Sequence, residues 1–265
     1  MVPPCEARAV NDERIREVIA DHLKGLITER GDGAFAHVSD CFGCDRATWS
    51  RRNGETLPWD RSPEMCLKMQ LGVEIERHVC DGLEAEYEAN EHDVQRDVRI
   101  AWNPAHGVGK AHFVERDYIP GPGEIVGHLD FLADDQSYDK TTVLEIKSTS
   151  FLKGRAPSEP SLHYIEQTAT YGIAVGATHA GIIIVCRESG RIAGPFWLDL
   201  PALEFATIER AKAVLEKTSG LIPPPAVPRY SWQPRYCGLG KACACAASLL
   251  EERLAASIAA KAAAV

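Results

Sequence analysis

Val126-Gly127-His128-Leu129-Asp130, followed after a turn-like stretch by Val143-Leu144-Glu145-Ile146-Lys147, decides how this chain reads. Each run sets charged residues among apolar ones, and the polar, turn-like stretch between them predicts two strands joined as a hairpin. The strands are read over Glu124–Ala133 and Thr142–Ser148, with Asp-Asp-Gln-Ser-Tyr-Asp-Lys between them. Alternate residues of a strand share a face, so Glu145 and Lys147 point one way while Leu144 and Ile146 point into a core. The hairpin brings Asp130 beside Glu145. Two carboxylates that close do not both stay ionised without a cation between them. Hard oxygen ligands suit Mg²⁺ or Mn²⁺, and a neighbouring lysine can orient a water. Charged residues on the solvent face of a hairpin give a similar pattern. Here, however, Asp130 runs into Phe131-Leu132, and Glu145 and Lys147 continue an apolar strand.

Outward from this pair, Ser161 to Gly176 reads as a helix stopped by glycine, and it carries Gln167 and Tyr171 one turn apart on one face. Ala180-Gly-Ile-Ile-Ile-Val-Cys-Arg187 is a buried strand, and Gly194 to Leu200 a second. Pro201 to Thr218 is an amphipathic helix with Leu203, Ile208, Ala211 and Leu215 inward. Upstream, Pro63 to Tyr87 reads as a helix with Leu67, Leu71, Ile75, Val79 and Leu83 inward, and Val94 to Trp102 as an alternating strand. His112 to Ile119 is a weaker strand, and Asn11 to Arg30 has helical spacing. Helices, a run of strands, then helix, strands and helix predict an α/β fold: a mixed central sheet flanked by helices. The expected organisation is an N-terminal helical and cysteine segment over 1–62, a core over 63–220, and a proline linker, cysteine cluster and C-terminal helix over 221–265, integrated as one domain.

Composition narrows the class. The 265 residues carry 29 Lys and Arg against 38 Asp and Glu, a net charge of −9, with 45% hydrophobic residues. These are globular values. The acidity excludes a protein that coats nucleic acid by bulk charge, so any such contact comes from local basic patches. No apolar run is long enough to span a membrane, and the start has no secretory pattern, so a cytoplasmic protein is expected. Nine cysteines in a reducing compartment point to metal binding before disulfides. They include Cys41-x-x-Cys44, itself a chelating spacing, and Cys237, Cys243 and Cys245 near the end.

Gly127-His128-Leu129-Asp130 with Glu145-Ile146-Lys147 resembles the core of the PD-(D/E)XK nuclease superfamily, and Gln167-x-x-x-Tyr171 resembles the motif of its RecB-like branch. The resemblance implies a restriction-endonuclease-like core. It implies that Asp130, Glu145 and the Ile146 carbonyl hold the metal, that Lys147 positions the water, and that Gln167 and Tyr171 orient the lysine and the substrate strand. The first motif of the superfamily is an acid, or a histidine in this branch. The offset from Gly72 lands on Glu76, which is assigned as the further metal ligand, with His78 as the other candidate. The outer cysteines resemble those of the CRISPR-associated iron–sulfur exonucleases. Cys44 matches the N-terminal cysteine, Cys237 and Cys243 match the last two of a trio, and Pro234 stands where the first would be. That resemblance implies a [4Fe–4S] cluster on Cys44, Cys237, Cys243 and Cys245, with Cys41 as the alternative fourth thiolate. Zinc is the alternative metal.

Basic residues interleaved with aromatics suit single-stranded DNA: Arg46, Arg51 and Arg52 with Trp49, Lys153 and Arg155, and Arg229, Arg235 and Lys241 with Tyr230, Trp232 and Tyr236. The resemblance, and not composition, implies DNA over RNA and an exonuclease over an endonuclease, so the expectation is a Mg²⁺- or Mn²⁺-dependent DNA exonuclease acting on single strands or ends. The resemblance implies work in recombination, repair or spacer processing, with a recombination or CRISPR-adaptation protein as partner. A restriction-like endonuclease and a non-catalytic DNA-binding module with a cysteine-bound metal are the alternatives.

Overall fold

The computed structural model describes residues 36–39, 44–53, 63–115, 117–135, 140–150, 156–230 and 243. The strands are β1 (Ala36–His37), β2 (Asp93–Trp102), β3 (His112–Phe113), β4 (Ile125–Asp135), β5 (Lys140–Thr149), β6 (His179–Cys186) and β7 (Ile192–Trp197). The helices are α1 (Asp45–Arg52), α2 (Pro63–Glu88), α3 (Leu162–Val175) and α4 (Leu200–Ser219). The strands form one mixed sheet in the order β3-β2-β4-β5-β6-β7, with β1 added parallel to β4. The β5–β6 pair is parallel and is bridged by α3, the crossover such a pair requires. The β2–β3, β2–β4, β4–β5 and β6–β7 pairs are antiparallel. The α/β architecture expected from the element order is therefore present.

Both faces of the sheet are covered. Phe131, Ala133, Leu144, Ile146, Ile183 and Val185 form one core with Cys80, Ile75, Val79 and Leu83 of α2. On the other face Leu132, Val143, Ile100 and Trp102 pack with Ala169, Tyr171 and Ile173 of α3 and with Leu200 and Ala211 of α4. β5 is buried on both faces, so Glu145 faces packed protein, not water as in a one-sided hairpin. Among the described residues no helix is long and apolar enough to cross a membrane.

The edges of β4 explain where the sheet opens. One edge pairs with β2 from Asp93↔Asp134 to Trp102↔Ile125. The other pairs with β5 only from Asp135↔Lys140 to Phe131↔Leu144, and with β1 only at Ile125 and Val126. Between them, Gly127 to Asp130 have no ladder partner on that edge. A strand edge relinquished by one neighbour before the next begins is a fork, and Asp130 sits at its root.

Two features go beyond the sequence reading. Residues 45–52, given no element of their own within the segment 1–62, form α1, docked on α4. The Trp49 indole donates to the Gly220 carbonyl at 2.6 Å, Arg52 donates to Thr218 Oγ1 at 2.6 Å, and Asp45 pairs with Arg210 at 2.7 Å. The apolar row along α2 is inward only in its later turns. Leu67 and Leu71 are 53% and 44% exposed. The reason is that Gly72 already lies against Ser148, next to last in β5, so the turns before it run past the sheet.

Gly127 carries a packing constraint. A Cβ there would come within 2.5 Å of the Tyr171 ring and 2.7 Å of Val38 Cγ2. Tyr171 and Val38 are buried, so neither has an easy retreat. Gly127→Ala should lower the unfolding free energy by about 1–3 kcal/mol, the usual cost of overpacking. Denaturant titration of both proteins measures it, and an unchanged midpoint would show that Tyr171 does not lie as tightly over β4 as described.

Candidate active site

Asp130 is held by backbone as much as by side chains. Where the β4–β5 ladder stops, its Oδ2 accepts the Ile146 N–H at 2.7 Å, a carboxylate standing in for the missing strand carbonyl. Its own carbonyl lies 3.5 Å from the Cys80 thiol of α2, which donates to it. Burial and the Asp130 charge push that thiol up to about 12, so Cys80 stays protonated as a donor.

Glu145 is 1% exposed. The Lys147 ammonium donates to its Oε1 and lies 3.8 Å from Asp130 Oδ2. Burial first, then the Asp130 charge, raise the Glu145 carboxyl above the usual carboxylate range, and Lys147 pulls it back. Lys147 is itself raised by Glu145 and Asp130 against the effect of its burial. Two carboxyl groups and one ammonium thus share a largely buried site.

Of the two Glu145 oxygens, Oε2 is buried and has no hydrogen-bond partner. An orphaned carboxylate oxygen beside a second carboxylate fits a divalent cation completed by waters. Among the described residues no three acidic, histidine or cysteine side chains converge closely enough to form a cation site by themselves. Asp130 and Glu145 are the paired carboxylates that could hold such a cation. Glu76 of α2 is close enough for its charge to raise both Glu145 and Cys80. His78 is turned away: its side chain is 69% exposed and lies by Arg77 and Asp81. Gly72 sets this approach, since a Cβ there would stand 3.0 Å from Ser148 Oγ.

The α3 helix closes the other side. Gln167 hydrogen-bonds the Tyr171 hydroxyl, and burial followed by the Glu145 charge keeps that hydroxyl protonated. Asp130, Glu145, Lys147, Gln167 and Tyr171 are thus neighbours, and the charge of Glu76 reaches Glu145 among them. Three contributors were not read from the sequence: Cys80, His163 and Tyr164. Cys80 follows Glu76 by one helical turn and His163 precedes Gln167 by one, so helical spacing was the available signal. The Tyr164 ring centre lies 6.0 Å from Lys147 Nζ. Burial and the Lys147 charge push the His163 imidazole down to about 4, so it is neutral near pH 7.

The expected basic patches fare differently. Trp49 is buried and hydrogen-bonded to Gly220, so it anchors α1 and is not open to stack on bases. Arg46 lies over the Trp49 ring at 5.4 Å. Arg229 and Tyr230 both donate to Glu166, pinning the proline-rich segment to α3. Lys153, Arg155, Trp232, Arg235, Tyr236 and Lys241 lie outside the described residues, as do Cys41, Cys237 and Cys245. Cys44 and Cys243 are buried.

Isothermal titration with Mn²⁺ tests the site directly. Glu145→Gln should weaken binding at least about tenfold, the loss of one charged ligand. Lys147→Ala should keep or tighten it, because a competing cation is gone. The reverse order would reject the carboxylate pair as the ligand set. Glu76→Ala should weaken Mn²⁺ binding several-fold and His78→Ala should not, and an effect confined to His78→Ala would move the further ligand position to the histidine.

No family model matches this chain, and no curated protein does. Among solved structures, it is similar in fold to the crystal structure of SSO0001, with a TM-score of 0.52 and 18% identity over 85% of this chain and 94% of that one. At that identity the likeness is one of fold, and it spans nearly all of the neighbour's chain.

Proposed function

We propose that the chain is a Mg²⁺- or Mn²⁺-dependent deoxyribonuclease of the PD-(D/E)XK superfamily, RecB-like branch, and that it works as an exonuclease on single-stranded DNA or DNA ends. The observation that carries the reading is the buried Glu145 with an unpartnered oxygen, set beside Asp130 and Lys147. A solvated surface hairpin would leave no carboxylate oxygen both buried and unsatisfied. The same sequence resemblance assigns Cys44, Cys237, Cys243 and Cys245 to a [4Fe–4S] cluster, or to zinc, that ties the tail to the N-terminal segment.

The geometry supports a division of labour among these residues. A bound divalent cation supplies Lewis acidity toward the scissile phosphate. Asp130, tethered by the Ile146 N–H, holds its oxygens at fixed positions, so no reorganisation is needed as substrate enters. Lys147 is the positively charged member of the set, and its ammonium can orient a water through its protons and offset the negative charge that grows on the phosphate. Its raised affinity for protons makes it a poor base, so the role is orientation and charge stabilisation. Gln167 fixes Tyr171, whose protonated hydroxyl offers a neutral hydrogen bond beside the site. Packed protein on both faces of β5 keeps bulk water out and strengthens each of these interactions.

End-labelled linear DNA and covalently closed circular DNA, each with and without Mn²⁺, test the proposal. Shortening of the linear strand alone, lost with EDTA and reduced by more than about a hundredfold in Glu145→Ala and Lys147→Ala, is the expected result. Cutting of the circle would make the protein an endonuclease of the same fold. Binding without cutting of either would make it a DNA-binding module.

A further inference from the structure

Three rings gather at the start of α3. The His163 and Tyr164 ring centres are 4.1 Å apart at an angle of 50°, and the Tyr230 ring lies 5.9 Å from His163 at 59°. All three side chains are only partly buried. Tyr164 also borders Lys147, the residue assigned to the scissile phosphate.

Two of the rings, His163 and Tyr230, are held in place by hydrogen bonds to neighbouring side chains. Ser161 Oγ, at the helix N-cap, is 3.1 Å from His163 Nδ1. The Tyr230 hydroxyl donates to Glu166, and Arg229 donates to the other oxygen of the same carboxylate, balancing its charge. The proline-rich segment is thereby pinned so that its tyrosine reaches the helix bearing Gln167 and Tyr171. Tyr164 packs against the cluster of Ile182, Ile184, Cys186 and Ala193, and Tyr230 against the core that includes α3 and α4. Rings fixed on packed elements lose little freedom when a planar ligand stacks on them.

We propose that His163, Tyr164 and Tyr230 form a nucleobase-stacking subsite that takes the base of the nucleotide whose phosphate is presented to Lys147. A base and its phosphate are joined through one sugar, so a ring platform bordering the catalytic lysine serves the reacting nucleotide or its neighbour. The ligand class is an unpaired nucleobase of any sequence, because stacking uses the π face that every base has and reads no hydrogen-bonding edge. A paired base within a duplex cannot reach the platform without leaving its stack, so the subsite favours single strands and frayed ends. A neutral imidazole suits this role, since it adds ring surface without a second cation competing for the phosphate.

This inference rests on the nuclease reading, and the experiment separates the two. Binding of an oligothymidine eight-mer and of an eight-mer of abasic sites with the same phosphates is measured by competition against a labelled strand, with Ca²⁺ as the metal. The wild type should prefer the intact strand by at least about tenfold, given the usual worth of one stacked base. His163→Ala should cut that preference by about fivefold or more while leaving the abasic affinity unchanged, and His163→Phe should keep it. A preference unchanged in His163→Ala, or an equal loss on both strands, would overturn the subsite and leave the nuclease standing. Absence of binding to either strand by the wild-type protein would reject the nuclease reading and the subsite with it.

Discussion

The arrangement of this protein turns on one electrostatic constraint: a fully buried glutamate placed next to an aspartate, with a single lysine between them. Burying charge is costly, and breaking a buried pair by removing one partner usually costs about 3–5 kcal/mol. Glu145, Asp130 and Lys147 are therefore worth more as a set than as pairs. Stability alone would be served at least as well by apolar residues of similar volume. The orphaned Glu145 oxygen makes the point sharper, because it is a polar group left without compensation inside the protein. Such a cost is expected where a ligand supplies what is missing.

The sheet is shaped around that set. Had the β4–β5 ladder continued past Phe131, a strand carbonyl and not the Asp130 carboxylate would take the Ile146 N–H. Ending the ladder one residue short of Asp130 opens the edge, and β1 takes it up again only at Ile125 and Val126. The opening is closed from both faces. Tyr171 comes down over Gly127 from α3, and α2 comes up against Ser148 at Gly72. Each glycine marks a place where a helix approaches the fork closely. Cys80 then completes the support of Asp130 from α2.

The termini of the described chain belong to the same structure. β1 extends the sheet at the fork, α1 is tied to α4 through Asp45, Trp49 and Arg52, and the segment after α4 is tied to α3 through Glu166. Residues that composition offered as a nucleic-acid surface thus divide. Trp49 and Arg52 hold elements together, while Tyr230 reaches the edge of the site. Basic and aromatic residues interleaved in sequence do not reveal which of these they do, because an aromatic ring beside an arginine serves packing and stacking equally well.

The local sequence determined a good deal by itself. Apolar alternation placed β4 and β5, helical spacing placed α2, α3 and α4, and the acid–x–lysine triplet after Gly127-His128-Leu129-Asp130 named the residues that meet. Those signals are local, written within one strand or one helical turn. The tertiary structure decided the rest. It decided that both faces of β5 are covered, since covering depends on where α2 and α3 land. It decided that Leu67 and Leu71 stay exposed although they continue the apolar row, because the sheet ends before they do. It decided that the charge of Glu76 reaches Glu145 while His78 lies exposed by Arg77 and Asp81, that Cys80 supports Asp130, and that His163 and Tyr164 join Tyr230 from across the chain. Each of these is a contact between residues far apart in sequence, and no periodicity within one element can encode which distant element will face it.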